Sequence, residues 1–562
     1  MAYSPDPAAR RTPRRVAAGV VSAVRGKWAL LKPHVVALAA WLPGVPLPAD
    51  DRVATRARAE RIWFDVAALA LIVGLALWVD LPAVLHAGID VLDEGFEYQL
   101  ASRILQGQVP YRDFFTVVTP LAFYWQALLI LVFGPSLVVG RIATALAGAG
   151  IAGAIYLAGK HVAARPLALA AALLSIPWGI PYWPQPNYSW YVTLLALLTA
   201  WIALRAGARR GGWVVVGVLA AAAVLTKQNV GLATAASVLL YAAWRGGGRA
   251  LVRCTLGLGA PIAAFVVYLG FAGALPAFWY QTVVFAIQHF PRAAGIPYPS
   301  LRSAINGART PGMGGLQSLV SYLPQAVLAA GLPLLAVGAL RPAWRRAWVP
   351  EGVFAWLLVL AGLTIAYPRS DFVHIDYALP TAFLGLAWLL SRGVGARPAL
   401  VPLAVLPMLA LLGPVWPHHP TSANNRGGSG GLPDLRGLRL NQGTLNSLRV
   451  VTSAIDHYAA PGMPVLVLPY AAMLYYLADR PNPTPYDLDI TLNMPPGGNA
   501  QIAQVMALTH CPVFYQPGAG ISAPFHTYGA PVVTELRRDY SLVGQAGAFQ
   551  IWLWSGPPGG SA

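Results

Sequence analysis

Apolar stretches of bilayer-spanning length recur through the first three quarters of this 562-residue chain, and they limit what it can fold into. A helix rises about 1.5 Å per residue, so roughly 20 apolar residues cross the hydrocarbon core of a membrane. Stretches that meet or approach this measure lie at 63–85, 118–134, 141–159, 166–180, 188–204, 213–226, 230–244, 252–274, 325–341, 351–367, 377–391 and 398–415. With 57% hydrophobic and only 11% charged residues, the chain carries more apolar surface than a soluble protein of this size can hide. The expected class is an α-helical polytopic membrane protein. The N-terminal arm is basic, but its short apolar stretch 34–45 is broken by Pro43 and lacks a small-residue cleavage site, so it does not read as a secretory signal.

The net charge of +18 reads as topology rather than nucleic-acid binding, because no basic and aromatic residues interleave as they do on a nucleic-acid platform. Arg10, Arg11, Arg14, Arg15, Arg25 and Lys27 crowd the N-terminus, and Arg52, Arg56, Arg58 and Arg61 abut the first apolar stretch. Positive charge gathers on cytoplasmic loops, which puts the N-terminus inside. Arg205/Arg209/Arg210, Arg245/Arg249/Arg253, Arg341/Arg345/Arg346 and Arg392/Arg397 mark the same side. Lys227, the segment 275–324, the stretch Tyr367–Tyr377 and everything after Pro414 then fall outside. Twelve crossings would return the C-terminus to the inside, so an odd number within about 11–13 is expected. One early segment within 118–190, where Pro177, Pro181, Pro184 and Pro186 break the pattern, is re-entrant, split or miscounted.

These boundaries divide the chain into a basic cytoplasmic arm (1–61), a membrane domain (62–416) with outer loops 86–117 and 275–324, a Gly/Asn/Ser-rich linker (417–435) and a small extracytoplasmic domain (436–562). In the last of these, helical pattern over 446–458 and 501–508 alternates with β-like runs at 465–468 and 513–515, which predicts an α/β fold. It holds no Gly-rich phosphate loop and reads as a lid, an acceptor-docking module or a stabilising cap. Cys254 and Cys511 lie in different regions, so neither a disulfide framework nor a cysteine metal site is expected.

Acids are scarce, so the pair Asp93-Glu94 just beyond the first apolar stretch stands out. Leu92, Phe96, Leu100 and Ile104 recur at i+4 around it, an apolar stripe suited to an interfacial helix, with Asp93 and Glu97 on a neighbouring face. Tyr111 and Arg112 follow in the same loop, Lys227 sits at the end of an apolar stretch, and Arg369 and His374 lie in the late loop YPRSDFVHID. Acids beside Arg, Lys and His could deprotonate a hydroxyl while cations hold a phosphate leaving group. Each residue also has a plainer reading. The acids can be solvated loop residues, Lys227 can snorkel to the headgroups, Arg369 can pair locally with Asp371, and a lone His374 fits a hydrogen-bonded interface position. The aromatics of 275–324 fit an interfacial belt, with a lid formed by its Gly-rich run as the alternative.

The stretch DEGFEYQLASRILQGQVPYRDF, followed by TPLAFYWQALLILVFGPSLVVGR, resembles the first outer loop and second span of GT-C glycosyltransferases. The relatives in question are the protein O-mannosyltransferases that use dolichyl-phosphate mannose and the bacterial transferase that puts aminoarabinose on lipid A. LTKQNVGL, YPRSDFVHIDYALP and MLYYLADRPNPTPYD are similar to bacterial members of the same group. The resemblance implies a membrane glycosyltransferase of the cytoplasmic membrane, a polyprenyl-phosphate-linked sugar donor, a lipid, glycan or protein acceptor outside, and inverting displacement. Asp93 then matches the family's loop acid, with Glu94 in support, and Lys227 and Arg369 become donor-phosphate ligands. No cofactor is required by the sequence, and the family leaves room for a divalent metal whose ligands the sequence does not name. The rival reading is a transporter or lipid flippase, against which stand the position of most charges at span ends and the absence of an internal repeat. A non-catalytic scaffold, the third reading, leaves the loop acids without a role.

Overall fold

The computed structural model describes residues 52–206, 211–341, 349–394, 431–518 and 529–556. Most of the basic arm, the apolar stretch 398–415 and most of the linker lie outside the described residues. Residues 68–562 form one compact unit. The helices are α1 Arg52–His86, α2 Asp93–Leu105, α3 Leu121–Phe133, α4 Leu137–Val162, α5 Arg165–Leu174, α6 Tyr188–Ala206, α7 Gly212–Thr226, α8 Gln228–Tyr241, α9 Gly247–Phe271, α10 Leu323–Leu340, α11 Val349–Leu363 and α12 Leu379–Val394. Among the described residues, six helical runs are long and apolar enough to cross a membrane, and three shorter ones are apolar.

The polar tetrapeptide Thr226–Asn229 breaks an apolar run into a hairpin. Lys227 is extended between α7 and α8, and Gly231 of α8 packs against Val224 of α7. At the far end of α8 the Tyr241 ring lies 6.2 Å from that of Trp213 at the start of α7. The chain reverses again around Gly247, whose φ of +69° suits only glycine, and α9 then runs alongside α7 with Gly217 against Cys254 and Gly257 against Val214. The continuous apolar run 228–271 is therefore two limbs, as the arginines between them predict.

One expected crossing does not occur. At the start of α3, the Thr119 hydroxyl donates to the Val224 carbonyl at 2.7 Å, beside Lys227. At its end, the Leu137 carbonyl accepts the Tyr98 hydroxyl of α2 at 2.8 Å. Both ends of this 13-residue helix thus sit on the face that carries α2 and Lys227. Trp125, Leu128, Leu131, Val132 and Phe133 form its exposed apolar stripe, as befits a helix lying in the membrane surface. The stretch 118–134 is corrected from a span to an interfacial helix, which takes one crossing from the twelve expected. α5 is a second irregularity. It has 10 residues, and the proline-rich chain after it leaves the helix, yet stays packed within the bundle, with Trp178 stacked on Tyr182 at 5.4 Å. Non-helical backbone at such depth is tolerated when protein surrounds it.

The C-terminal domain holds α13 Gln442–Tyr458, α14 Gly498–Thr509 and α15 Ala530–Asp539 around strands β1 Leu466–Leu468, β2 Val513–Tyr515, β3 Tyr540–Ala546 and β4 Phe549–Trp554. The sheet order is β1-β2-β4-β3, with β1 parallel to β2 and the other pairs antiparallel. This α/β domain is fused to the first outer loop. Arg103 of α2 forms a buried ion pair with Asp487 at 2.7 Å and donates to the Thr484 carbonyl at 2.7 Å. Tyr98 and Leu137 share an apolar core with Leu445, Ile455, Val467 and Tyr476, and the Phe115 amide donates to the Pro485 carbonyl at 2.8 Å.

Candidate active site

α2 is started by Asp90, whose Oδ1 accepts the amides of Leu92 at 2.8 Å and Asp93 at 3.0 Å. Asp93 and Glu97, four residues apart, share one helix face. Glu97 is buried, and its Oε1 accepts the Tyr188 amide at 3.0 Å at the first residue of α6. Lys227 reaches the same turn: its ammonium donates to Ser189 Oγ at 3.1 Å and lies 5.0 Å from the centroid of the Tyr188 ring. From the other side comes the loop after α11. The Asp371 carboxylate caps the short helix Phe372–Asp376, accepts the His374 amide at 3.0 Å, lies 2.7 Å from His374 Nδ1 and pairs with Arg369.

The charges are close enough to set one another's protonation. Burial, then the Asp90 carboxylate, pushes Asp93 up to about 7, against the pull of Arg369. Burial and the Asp93 carboxylate push Glu97 up to about 8, opposed by the Tyr188 amide and by Lys227. Burial acts to raise Asp371, but hydrogen bonds from His374 and the charges of His374 and Arg369 outweigh it and hold the carboxyl low. Burial also lowers His374, with Lys227 and Arg369 adding to it and Asp371 opposing. Asp93, Lys227, Arg369 and His374 thus belong to one cluster of both signs.

Outer loop 275–324 braces this cluster. Ile296 exchanges backbone hydrogen bonds with the Arg369 loop, donating to Pro368 and accepting from Ser370 at 3.0 Å each. The Tyr298 hydroxyl donates to the Leu363 carbonyl at 2.9 Å. Its Gly-rich run is the turn between helices Leu301–Ala308 and Met313–Ser321, while Trp279 and Tyr280 are exposed as a belt requires.

Three of the residues singled out in the sequence have other partners. Glu94 is buried with both oxygens held at 2.7 Å by Arg141, whose guanidinium also donates to the carbonyls of Val84, Ala87 and Gly88. Tyr111 is buried, donates from its hydroxyl to the Val118 carbonyl at 3.0 Å and packs on Phe278. Arg112 pairs with Asp113 and donates to the Ala272 carbonyl at 3.1 Å, tying the loop to the end of α9. Glu97, Tyr188 and Ser189 are the cluster members that the sequence did not single out. Only the i+4 spacing of Glu97 from Asp93 signalled any of them. Asp376, in the same late loop, is fully buried with neither carboxylate oxygen hydrogen-bonded, and burial raises its carboxyl well above the ordinary range. Among the described residues no three His, Cys, Asp or Glu side chains group as metal ligands.

The helical bundle, the outer loop with its two surface helices and the fused α/β domain define a protein of the GT-C glycosyltransferase fold. The solved structure of ArnT from Cupriavidus metallidurans bound to undecaprenyl phosphate matches with a TM-score of 0.56 at 14% identity, over 86% of this chain and 97% of that one. The archaeal oligosaccharyltransferase AglB from Archaeoglobus fulgidus, in complex with an inhibitory peptide and a dolichol-phosphate, matches with a TM-score of 0.52 at 10% identity, over 88% of this chain and 75% of that one. Residues 117–272 match the family described as dolichyl-phosphate-mannose-protein mannosyltransferase. No curated protein sequence matches the chain.

Proposed function

We propose that this protein transfers a sugar from a polyprenyl-phosphate-linked donor to a lipid, glycan or protein acceptor at the outer face of the cytoplasmic membrane. The observation that carries the reading is the convergence of Asp93 on the first outer loop with Lys227 and Arg369, from segments far apart in the chain, in one half-buried cluster. The undecaprenyl phosphate bound to ArnT and the dolichol-phosphate bound to AglB, both polyprenyl phosphates, agree with it. The arginine-rich ends of the helices support a cytoplasmic N-terminus and an α/β domain outside.

The chemistry is an inverting displacement. The ionised Asp93 carboxylate takes the acceptor's proton as the acceptor oxygen bonds to the anomeric carbon. The bond from that carbon to the phosphate oxygen breaks, its electron pair stays on the polyprenyl phosphate, and Lys227 and Arg369 meet the added charge. His374, hydrogen-bonded to Asp371, stands beside them to orient the phosphate. The lipid tail stays in the bilayer.

The test is turnover of a panel of polyprenyl-phosphate sugars by reconstituted protein. Wild type releases sugar to acceptor, and Asp93→Asn loses about 10²–10⁴-fold in kcat with folding intact, the range expected for a general base. Because the base acts ionised, kcat/KM rises with pH through about 7. An Asp93→Asn variant as active as wild type overturns the assignment.

A further inference from the structure

Lys227-Gln228-Asn229, the polar break between α7 and α8, sends its three side chains to three different parts of the chain. Lys227 turns to Ser189 and Tyr188 at the start of α6. Gln228 turns to the outer loops. Its nitrogen donates to the carbonyls of Val117 at 2.6 Å and Thr282 at 3.4 Å, and its oxygen accepts the Thr119 amide at 3.3 Å. Asn229 turns to the late loop. Its Nδ2 donates to the Thr364 carbonyl at 2.7 Å, in the short 3-10 turn Thr364–Ala366 that leads from α11 toward Arg369. We infer that Asn229 is a positioning residue, a clamp that holds the Arg369 guanidinium at the distance from Lys227 that one donor phosphate needs. The inference rests on the transferase reading, in which Lys227 and Arg369 are the phosphate ligands, and adds a residue to it.

The clamp closes a ring of contacts around the two cations. From Lys227 the ring runs through Ser189 to Trp190, the next residue of α6, whose side chain lies 4.5 Å from the Tyr377 ring. Thr193, one turn further on, donates to the Tyr377 carbonyl at 3.1 Å. Tyr377 meets His374 edge-on at 6.4 Å, and His374 shares the Asp371 carboxylate with Arg369. Asn229 completes the circuit on the other side, from the residue pair after Lys227 to the turn before Arg369. Ile296 also braces the Arg369 loop, but it ties that loop to outer loop 275–324 and leaves its distance from Lys227 open. Nor does Thr364 need Asn229 for its own sake, because the same carbonyl accepts the Tyr367 amide at 3.2 Å. What the asparagine adds is the link between the two cation-bearing segments. A phosphate shared by both is sensitive to that link, since each charge-assisted hydrogen bond needs its donor within about 2.7–2.9 Å of an oxygen.

The deciding experiment is a double-mutant cycle on equilibrium binding of undecaprenyl phosphate to the full-length reconstituted protein. Asn229→Ala should bind about tenfold more weakly than wild type, since the contact it misplaces is a hydrogen bond between charged groups. Arg369→Ala, which removes that contact outright, should weaken binding by at least as much. In the Arg369→Ala background, Asn229→Ala should cost nothing further, because the clamp acts through the guanidinium. The same loss in both backgrounds would mark Asn229 as merely structural and overturn the inference, as would binding by Asn229→Ala equal to that of wild type. If Asn229→Ala does not fold, Asn229→Ser, whose hydroxyl sits on an arm too short for Thr364, is read in the same cycle. Failure of Arg369→Ala alone to weaken binding would remove Arg369 from the phosphate site and the clamp's purpose with it. Failure of wild type to bind undecaprenyl phosphate would instead remove the site itself, and the transferase reading with it.

Discussion

Arg141 shows how far a single buried cation can govern the site without touching it. Its guanidinium, fully enclosed, spends all its contacts on the two Glu94 oxygens and three carbonyls at the end of α1 and the turn after it. A buried ion pair adds little over an apolar substitute for both partners, but loss of one partner strands the other in a low-dielectric interior. Arg141→Met should therefore destabilise the protein by about 3–5 kcal/mol, while Glu94→Gln with Arg141→Met together should recover much of that loss. Thermal unfolding of wild type and the two variants in detergent measures it; equal melting of Arg141→Met and wild type would show that the pair contributes nothing. The family resemblance implies that Glu94 supports Asp93, its neighbour in sequence. Adjacent helical residues lie about 100° apart around the axis, so neighbours in sequence face different partners. Asp93 and Glu97 face the same way, and that relation was legible in the spacing. What no spacing could reveal was that Glu94 would meet an arginine 47 positions away.

At the scale of elements, the charge pattern was more reliable than hydropathy. The hinges that Lys227 and the arginines at 245–253 predict are present, and α3 takes away one of the twelve crossings that raised the parity conflict. α3 is apolar enough to pass for a span, but hydropathy reports apolarity and not depth. An interfacial helix with lipid on one face and protein on the other carries nearly the same composition. Its length was the clue, since 13 residues make about 20 Å, short of a bilayer core. Cysteine accessibility in sealed vesicles decides the matter, helped by the burial of both native cysteines. Pro135→Cys, just past α3, should react from the same side as Arg292→Cys, and His161→Cys from the opposite side. If Pro135→Cys reacts with His161→Cys instead, α3 crosses and the assignment fails. The β3–β4 hairpin and α15 are further elements that the sequence reading does not contain. The hairpin's turn, Gly547-Ala548, joins Ala546 to Phe549, and Gly547 takes a φ of +57°. The strands flanking it do not alternate cleanly in polarity, because β4 is apolar along both faces over Ile551–Trp554.

For the molecule as a whole, the consequence of fusing the α/β domain to α2 is that the site and the domain share one helix. One face of α2 presents Asp93 and Glu97 to the bundle, and another presents Gln99 and Arg103 to Asp487. Asp487 has no exposed side-chain surface and is also held by Asn482 at 3.0 Å, and Gly95 packs so tightly on Met473 that a Cβ there would strike its backbone. The sequence suggested a separate module beyond a flexible linker, because a composition change marks a chain boundary and not a packing boundary. Docking through a buried ion pair makes a mechanical prediction that a tethered module does not. Asp487→Ala leaves Arg103 buried without its carboxylate and should cost about 3–5 kcal/mol. The loss falls on the helix that holds both acids, so donor turnover should drop although Asp487 touches no reacting group. Wild type should unfold in one transition, and Asp487→Ala should either split it in two or lower it as a unit. Unchanged turnover together with an unchanged melt would mean that α2 is held by the bundle alone and that the domain only rests upon it.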